Sequence, residues 1–222
     1  MRIMADREAE IVVERTFEGV GAIHGVTFDG QAVWFAHGSQ GDLVSMEPET
    51  GAVLARLQVP ADAGVAFDGR HLWVAGGDRI RKIDPATGAA VGEVPGFDAT
   101  PVSGLAWADG ALYAGVYAQK QILKIDPETG AVLRTLVSDR LVTGITWADG
   151  DLWHGVMREE NGAPSEIRRV DAQSGAVLDR LTLPEGVALS GVEADANERF
   201  WCGDGRSGKL RAVKRPRKSK SG

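Results

Sequence analysis

What constrains this chain most is that it repeats itself. Aligned on a glycine followed by an apolar residue, it reads "HGVTFDGQAVWFAHG", "AGVAFDGRHLWVAGG", "SGLAWADGALYAGVY", "TGITWADGDLWHGVM" and "SGVEADANERFWCGD". The glycines are Gly25, Gly64, Gly104, Gly144 and Gly191, a period of about 40 residues, which belongs to propellers and other repeat folds. The first four units continue as "GDLVSMEPETGAVLARL", "DRIRKIDPATGAAVGEV", "QILKIDPETGAVLRTL" and "SEIRRVDAQSGAVLDRL". Apolar residues alternate with polar ones over short runs between Asp-Gly and Pro-x-Thr-Gly turns, so the period is two and each unit is a meander of four strands. In Asp84-Pro85-Ala86-Thr87-Gly88 the Asp carboxylate can bond the backbone ahead of it while the glycine takes positive φ, which is hairpin chemistry.

The fifth unit ends after "GKLRAVKRP" without a fourth strand, while the N-terminus carries a surplus segment, "AEIVVERTFEG", patterned like the fourth strands. A ring has no free edge only when its first and last strands share a sheet, so residues 9 to 18 are expected to complete the last blade. The sequence therefore predicts an all-β fold, a five-bladed β-propeller closed by its N-terminal strand, with one domain over residues 9–216 and a basic tail over 217–222. A closed ring exposes no edge that demands a partner, and a monomer is expected.

Composition narrows the partners. A net charge of -6 excludes a nucleic-acid binder, because neutralising phosphates requires a basic field. The single cysteine, Cys202, leaves no disulfide within the chain. No run of about 18 apolar residues and no signal-like apolar segment occurs, so a cytoplasmic protein without a membrane partner is expected.

Repetition itself separates frame from function. The aromatic column Trp34, Trp73, Tyr113, Trp153 and Trp201 recurs at one second-strand position, and Phe28, Phe67, Trp107 and Trp147 recur on the first strands. Both read as packing between blades. His71 sits in a repeated turn and is assigned no role. In a propeller the loops from fourth strand to first and from second to third open on one face. That face collects the residues before the aligned glycines, His24, Ala63, Ser103, Thr143 and Ser190, and the variable segments "HGSQ", "GGD", "VYAQK", "VMREENGAPS" and "DGRSG". Binding groups favour loops held by a rigid frame and the mouth of such a ring.

His24 opens a first strand at the axis, where an imidazole can act as base, acid or ligand near neutral pH. His37 ends the adjacent strand, and Asp204 occupies the equivalent position in blade five, next to blade one once the ring closes. These three are expected to form an acid-base cluster. Glu193 stands where the other blades have Thr27, Ala66, Ala106 and Thr146, and joins them as a catalytic candidate. Tyr117, Gln119, Lys120, His154 and Arg158 are the substrate-binding candidates. His154 and Cys202 replace Phe35, Val74 and Ala114 and should be buried, the thiol as filler. A mixed nitrogen and oxygen set can hold a divalent cation, although no short-spaced ligand motif marks one.

The units "GVTFDGQAVWFAHG" and "GVAFDGRHLWVAGGDRIRKIDPATG" resemble virginiamycin B lyase-like propellers, whose repeats run Pro-His-Gly-Ile, Asp-Gly, Leu-Trp-Phe-Thr-Glu and Ile-Asp-Pro-x-Thr-Gly. That resemblance implies metal-assisted lyase chemistry with His24 at the histidine position. Five blades and this length also resemble the plant-type glutaminyl cyclases, which form pyroglutamate on peptide N-termini and whose Phe-Thr-Gln-Gly-Leu opening stands here as Ala22-Ile23-His24-Gly25-Val26. Two functions stay open: a small-molecule or peptide-end enzyme, lyase-like or cyclotransferase-like, with an acid-base site at the mouth; or a non-catalytic module that binds a ligand or protein there.

Overall fold

The computed structural model describes residues 5–38, 41–97, 100–157 and 163–217, and among these it is all-β, without a helix. Two N-terminal strands, β1 (Ala5–Glu8) and β2 (Ile11–Thr16), precede the repeats. Blade one is β3 (Ile23–Phe28), β4 (Val33–His37), β5 (Asp42–Met46) and β6 (Val53–Leu57), and blade two is β7 (Val65–Phe67), β8 (Leu72–Gly76), β9 (Arg79–Ile83) and β10 (Ala90–Glu93). Blade three is β11 (Val102–Ala108), β12 (Ala111–Val116), β13 (Gln121–Ile125) and β14 (Val132–Val137). Blade four is β15 (Val142–Ala148), β16 (Asp151–Val156), β17 (Glu166–Val170) and β18 (Val177–Thr182), and blade five contributes β19 (Val192–Ala194), β20 (Arg199–Gly203) and β21 (Lys209–Lys214). Within each blade, successive repeat strands pair antiparallel, the first lying innermost.

Closure occurs as the surplus segment requires. β2 pairs antiparallel with β21, from Ile11 opposite Val213 to Thr16 opposite Lys209, and supplies the missing fourth strand of blade five. Glu14 on β2 pins the seam, accepting from Lys209 Nζ at 2.8 Å and Arg211 Nε at 2.7 Å. The sequence reading did not foresee β1, which runs parallel to β18 and covers the outer edge of blade four. One short N-terminal stretch thus touches two neighbouring blades.

The hydrophobic core is divided among the seams. Trp34, Leu43, Val65 and Leu72 fill the seam between blades one and two; Trp73, Ile80, Leu105 and Leu112 that between two and three; Tyr113, Ile122, Ile145 and Leu152 the next. Trp153, Ile167, Phe200 and Val213 join blades four and five, and Phe17, Phe35, Trp201 and Leu210 join five and one. The repeated aromatics are those seam residues: Trp73 stacks on Trp107 with centroids 5.9 Å apart, and Tyr113 on Trp147 at 5.5 Å. In blades one, two and five an aspartate at the first hairpin also holds the column. Asp29, Asp68 and Asp195 each accept backbone N–H bonds in the turn and the indole N–H of Trp34, Trp73 and Trp201 at 2.7, 3.0 and 2.9 Å. Blades three and four use Asp-Gly turns with positive φ at both residues, 50° and 71° at Asp109 and Gly110.

The axis itself is set by the aligned glycines. A methyl carbon on Gly25 would lie 2.0 Å from the carbonyl oxygen of Ala63, on Gly64 2.5 Å from the backbone of Gly104, and on Gly104 2.3 Å from that of Thr143. The series continues with Gly144 at 2.1 Å from Val192 N and ends with Gly191 at 2.4 Å from the oxygen of His24, back in blade one. Each inner strand therefore lies on the next with no side chain between them. Gly144→Ala is expected to cost about 1–3 kcal/mol through overpacking, lowering the melting temperature by about 2–4 °C per kcal/mol in a chain of this size. Removal of residues 1–16, which leaves blade five with three strands, is expected to abolish cooperative melting, as read by calorimetry.

Candidate functional site

The residues before the aligned glycines converge, as the propeller topology requires. His24, Ala63, Ser103, Thr143 and Ser190, one from each blade, line a cavity of about 280 Å³ at the axial mouth. Tyr117 and Met157 add walls from the loops after β12 and β16, Asp62 from the loop before β7, and Arg206 from the loop between β20 and β21. A larger groove of about 580 Å³ runs past Glu8, Pro164 and Leu183, but it has no imidazole and only one blade-to-blade seam behind it. The axial cavity is the candidate site.

His24 is its central feature. The imidazole lies in a slot between two glycines: a methyl carbon on Gly38 would fall 1.9 Å from its Cδ2, and one on Gly205 3.3 Å from its Cε1. Its Nδ1 is 3.2 Å from the Ser190 hydroxyl across the closing seam. Burial holds the His24 pKa below its ordinary 6.5, and the carboxylate of Asp62 works in the opposite direction. The ring is therefore neutral at pH 7, and it can accept a proton. Thr143, only 5% exposed, has a hydroxyl without a hydrogen-bond partner.

The other members of the expected cluster are not at His24. His37 is buried in blade one with Nδ1 3.0 Å from Asp42 Oδ1, its ladder neighbour on β5. Asp204 does lie beside blade one, where its carbonyl oxygen accepts from Ile23 N at 2.9 Å, but its carboxylate accepts from Arg211 at 3.0 Å and from the Arg206 amide at 2.9 Å. Neither side chain lines the cavity. Closure brought the backbones together, and nearby partners took the side chains.

Glu193 occupies the layer beneath the cavity. Its carboxyl spans blades four, five and one: Thr146 Oγ1 is 2.7 Å away, Thr27 Oγ1 3.3 Å, and the Ala194 amide donates at 2.9 Å. Burial raises its pKa to about 8, against the smaller opposing effect of these hydrogen bonds, so it carries a proton at neutral pH. Of the substrate-binding candidates, Tyr117 lines the cavity and its hydroxyl meets the Met157 sulfur. Gln119 and Lys120 stand outside it, the Lys120 ammonium donating to Asp139 O at 3.1 Å. His154 is buried between blades three and four among Ile122, Leu136 and Val170, with its pKa lowered to about 4 by burial. Arg158 lies outside the described residues. Cys202 is buried, with its thiol pushed up to about 12, in keeping with a filling role. Among the described residues no group of three or more His, Cys, Asp or Glu gathers where it could hold a metal ion. The sequence reading missed Asp62 and Met157, and the signal was available: Asp62 immediately precedes a pre-glycine residue, and Met157 immediately follows a second strand.

Residues 63–162, just under half of the chain, match the family model of glutamine cyclotransferase. Among solved structures, the chain is similar to the crystal structure of Myxococcus xanthus glutaminyl cyclase, with a TM-score of 0.78 at 15% identity over 96% of this chain and 98% of that one. It is also similar to Kuenenia stuttgartiensis hydrazine synthase, with a TM-score of 0.53 at 15% identity over 85% of this chain and 56% of that one. A search of the curated proteins finds no match. These findings support the glutaminyl cyclase-like propeller expected from the five blades and the chain length.

Two outcomes test the site. Gly38→Ala is expected to expel the imidazole from its slot, moving the His24 ring resonances and their titration midpoint toward 6.5 in NMR while the fold persists. For Glu193, a folded pKa of about 8 exceeds the ordinary 4.5, so its stabilisation is complete below about pH 4.5 and is lost as pH rises through 8. Glu193→Gln should flatten the fall in melting temperature between pH 5 and 9 relative to the parent.

Proposed function

We propose that the axial cavity is the active site of a glutamine cyclotransferase-type enzyme that converts an amino-terminal glutaminyl residue into a pyroglutamyl residue with release of ammonia. The observation that carries this reading is the neutral, half-buried imidazole of His24 in a mouth lined by one residue from every blade. The partial match to the glutamine cyclotransferase family points the same way.

The chemistry asks for few groups. The α-nitrogen must lose a proton and attack the side-chain amide carbon; a carbon–nitrogen bond forms and the bond to the amide nitrogen breaks. The departing nitrogen needs one proton to leave as ammonia. A neutral imidazole can take the proton from the attacking nitrogen and return it to the leaving one, so a single residue serves both steps. Asp62, exposed at the rim and electrostatically coupled to His24, suits the amino group before reaction. The Tyr117 hydroxyl, in the cavity wall, is a donor that the amide oxygen can meet as it gains charge. No step here calls on His37 or Asp204.

One observation favours a second reading. The dispersal of His37 and Asp204 to Asp42 and Arg211 removes the three-residue cluster expected of a catalyst, and a ligand-binding mouth needs no such cluster. Turnover separates the two. Ammonia release from glutamine-initiated peptides is expected, with an acid limb in kcat/KM below pH 6.5 because the His24 pKa is lowered. His24→Gln should reduce kcat by about 100-fold or more, the usual weight of a general acid-base group, with the melting temperature retained. No ammonia from any such peptide overturns the enzymatic reading.

A further inference from the structure

We infer that the axial cavity recognises a zwitterion, an ammonium group at Asp62 and a carboxylate at Arg206, held on either side of His24. The inference deepens the reading of this cavity as the substrate site, and it concerns recognition alone.

Two charges at the mouth have no charged partner among the described residues. Several cations of the frame are ion-paired: Arg140 and Arg168 with Glu166, Arg199 with Asp195, and Arg211 with Asp204 and Glu14. Arg206 differs. It is exposed at the mouth, and its guanidinium has no hydrogen bond or ion pair among the described residues, although a carboxylate stands two residues away. That carboxylate, Asp204, is occupied by Arg211, and what it gives to Arg206 is an acceptor for the backbone N–H, which fixes the loop and leaves the side-chain charge unspent. Asp62 is the counterpart: its one hydrogen bond is a long one of 3.5 Å from the Gly77 amide, and no cation lies within ion-pair distance of it among the described residues.

Both residues line the same cavity. Around the ring, Arg206 belongs to blade five, His24 to blade one, and Asp62 to the loop entering blade two, so the two charges flank the imidazole from neighbouring blades. Between them the wall offers Ser103, Thr143, Ser190 and Tyr117, groups that hydrogen-bond without charge. A volume of about 280 Å³ suits a ligand of amino-acid to dipeptide size at the mouth. A wall with one free anion and one free cation favours a dipolar ligand over a neutral one or one bearing a single charge.

A carboxylate at Arg206 can be the α-carboxylate of a free amino acid, that of a dipeptide, or an acidic side chain in second position. Titration calorimetry on the full chain with glutamine, Gln-Gly, Gln-Gly amide and Gln-Glu amide distinguishes these sources, and N-acetylated Gln-Gly removes the ammonium. At least one carboxylate-bearing probe is expected to bind about tenfold or more tightly than Gln-Gly amide, as befits a charge-assisted contact. Arg206→Gln should bring that ratio to within about twofold while Arg206→Lys keeps part of it, and Asp62→Asn should erase the preference for the free amine. Equal binding of Gln-Gly amide and every carboxylate probe by the parent protein, or no binding of any probe, overturns the inference. Run in parallel on His24→Gln, in which turnover is expected to be slowed, the titration reads binding apart from the heat of reaction. Binding with this preference but without ammonia release sinks the cyclotransferase reading and leaves the zwitterion site standing, whereas ammonia release without the preference does the reverse.

Discussion

Backbone lying directly on backbone around the axis is the constraint from which the rest of this structure follows. Five inner strands meet at Gly25, Gly64, Gly104, Gly144 and Gly191, and at each of them even a methyl group would intrude on the next blade. That spacing limits how far the blades can splay. Seam residues such as Trp73 and Trp107 then stack across adjacent blades at a separation fixed by the axis, and the pre-glycine residues are delivered to a common rim. A cavity of about 280 Å³ is what five touching strands leave above their contact. A wider axis would produce a channel instead of a site.

Features that depend on backbone geometry were legible in the sequence, and features that depend on competition between side chains were not. The period of the glycines and the alternation within each unit led to five four-stranded blades, and the unpaired fourth-strand pattern at the N-terminus led to the closing partner of β21. Both are consequences of satisfying every ladder. The proposed His24, His37 and Asp204 cluster relied on the same logic one step too far. Register placed the Asp204 backbone on Ile23 as required, but Arg211, one strand over in the same blade, stands closer to the carboxylate than any imidazole. His37 has Asp42 directly opposite on the neighbouring strand. Strand adjacency is written in spacing, whereas the choice of ion partner is decided by cross-strand pairs that no repeat alignment compares. β1 escaped notice for a related reason, since four residues carry too little alternation to mark a strand, and it was the open edge of β18 that gave them one.

Burial acts on the ionisable groups of the interior in one direction, toward their uncharged forms. Glu193 is pushed up, His24 and His154 down, and the Cys202 thiol up. For acid and base alike the desolvation cost falls on the charged species, so an interior made of seams and a narrow axis filters out net charge. Glu193 shows the adjustment in detail. Where its blade-mates have small side chains it can keep a carboxyl only by holding a proton and engaging Thr27 and Thr146. Partial burial acts on the His24 imidazole, one layer higher, in the same sense and favours its neutral form.

Charge is retained where a partner stands beside it, and much of it locks the frame: Glu14 with Lys209 and Arg211 at the closing seam, the buried Arg140 with Glu166 and with the carbonyls of Met157 and Pro164. Paired surface charges contribute little energy individually, but each pair fixes a loop or a strand. Against that background a charge left unpaired is informative only if partners were within reach. Arg206 has Asp204 two residues away and does not pair with it, because Arg211 has already taken that carboxylate. The ion pair that dissolved the expected catalytic cluster is thus the same one that leaves a free guanidinium at the mouth. The acid that seemed to belong to His24 serves the site by not being available to Arg206.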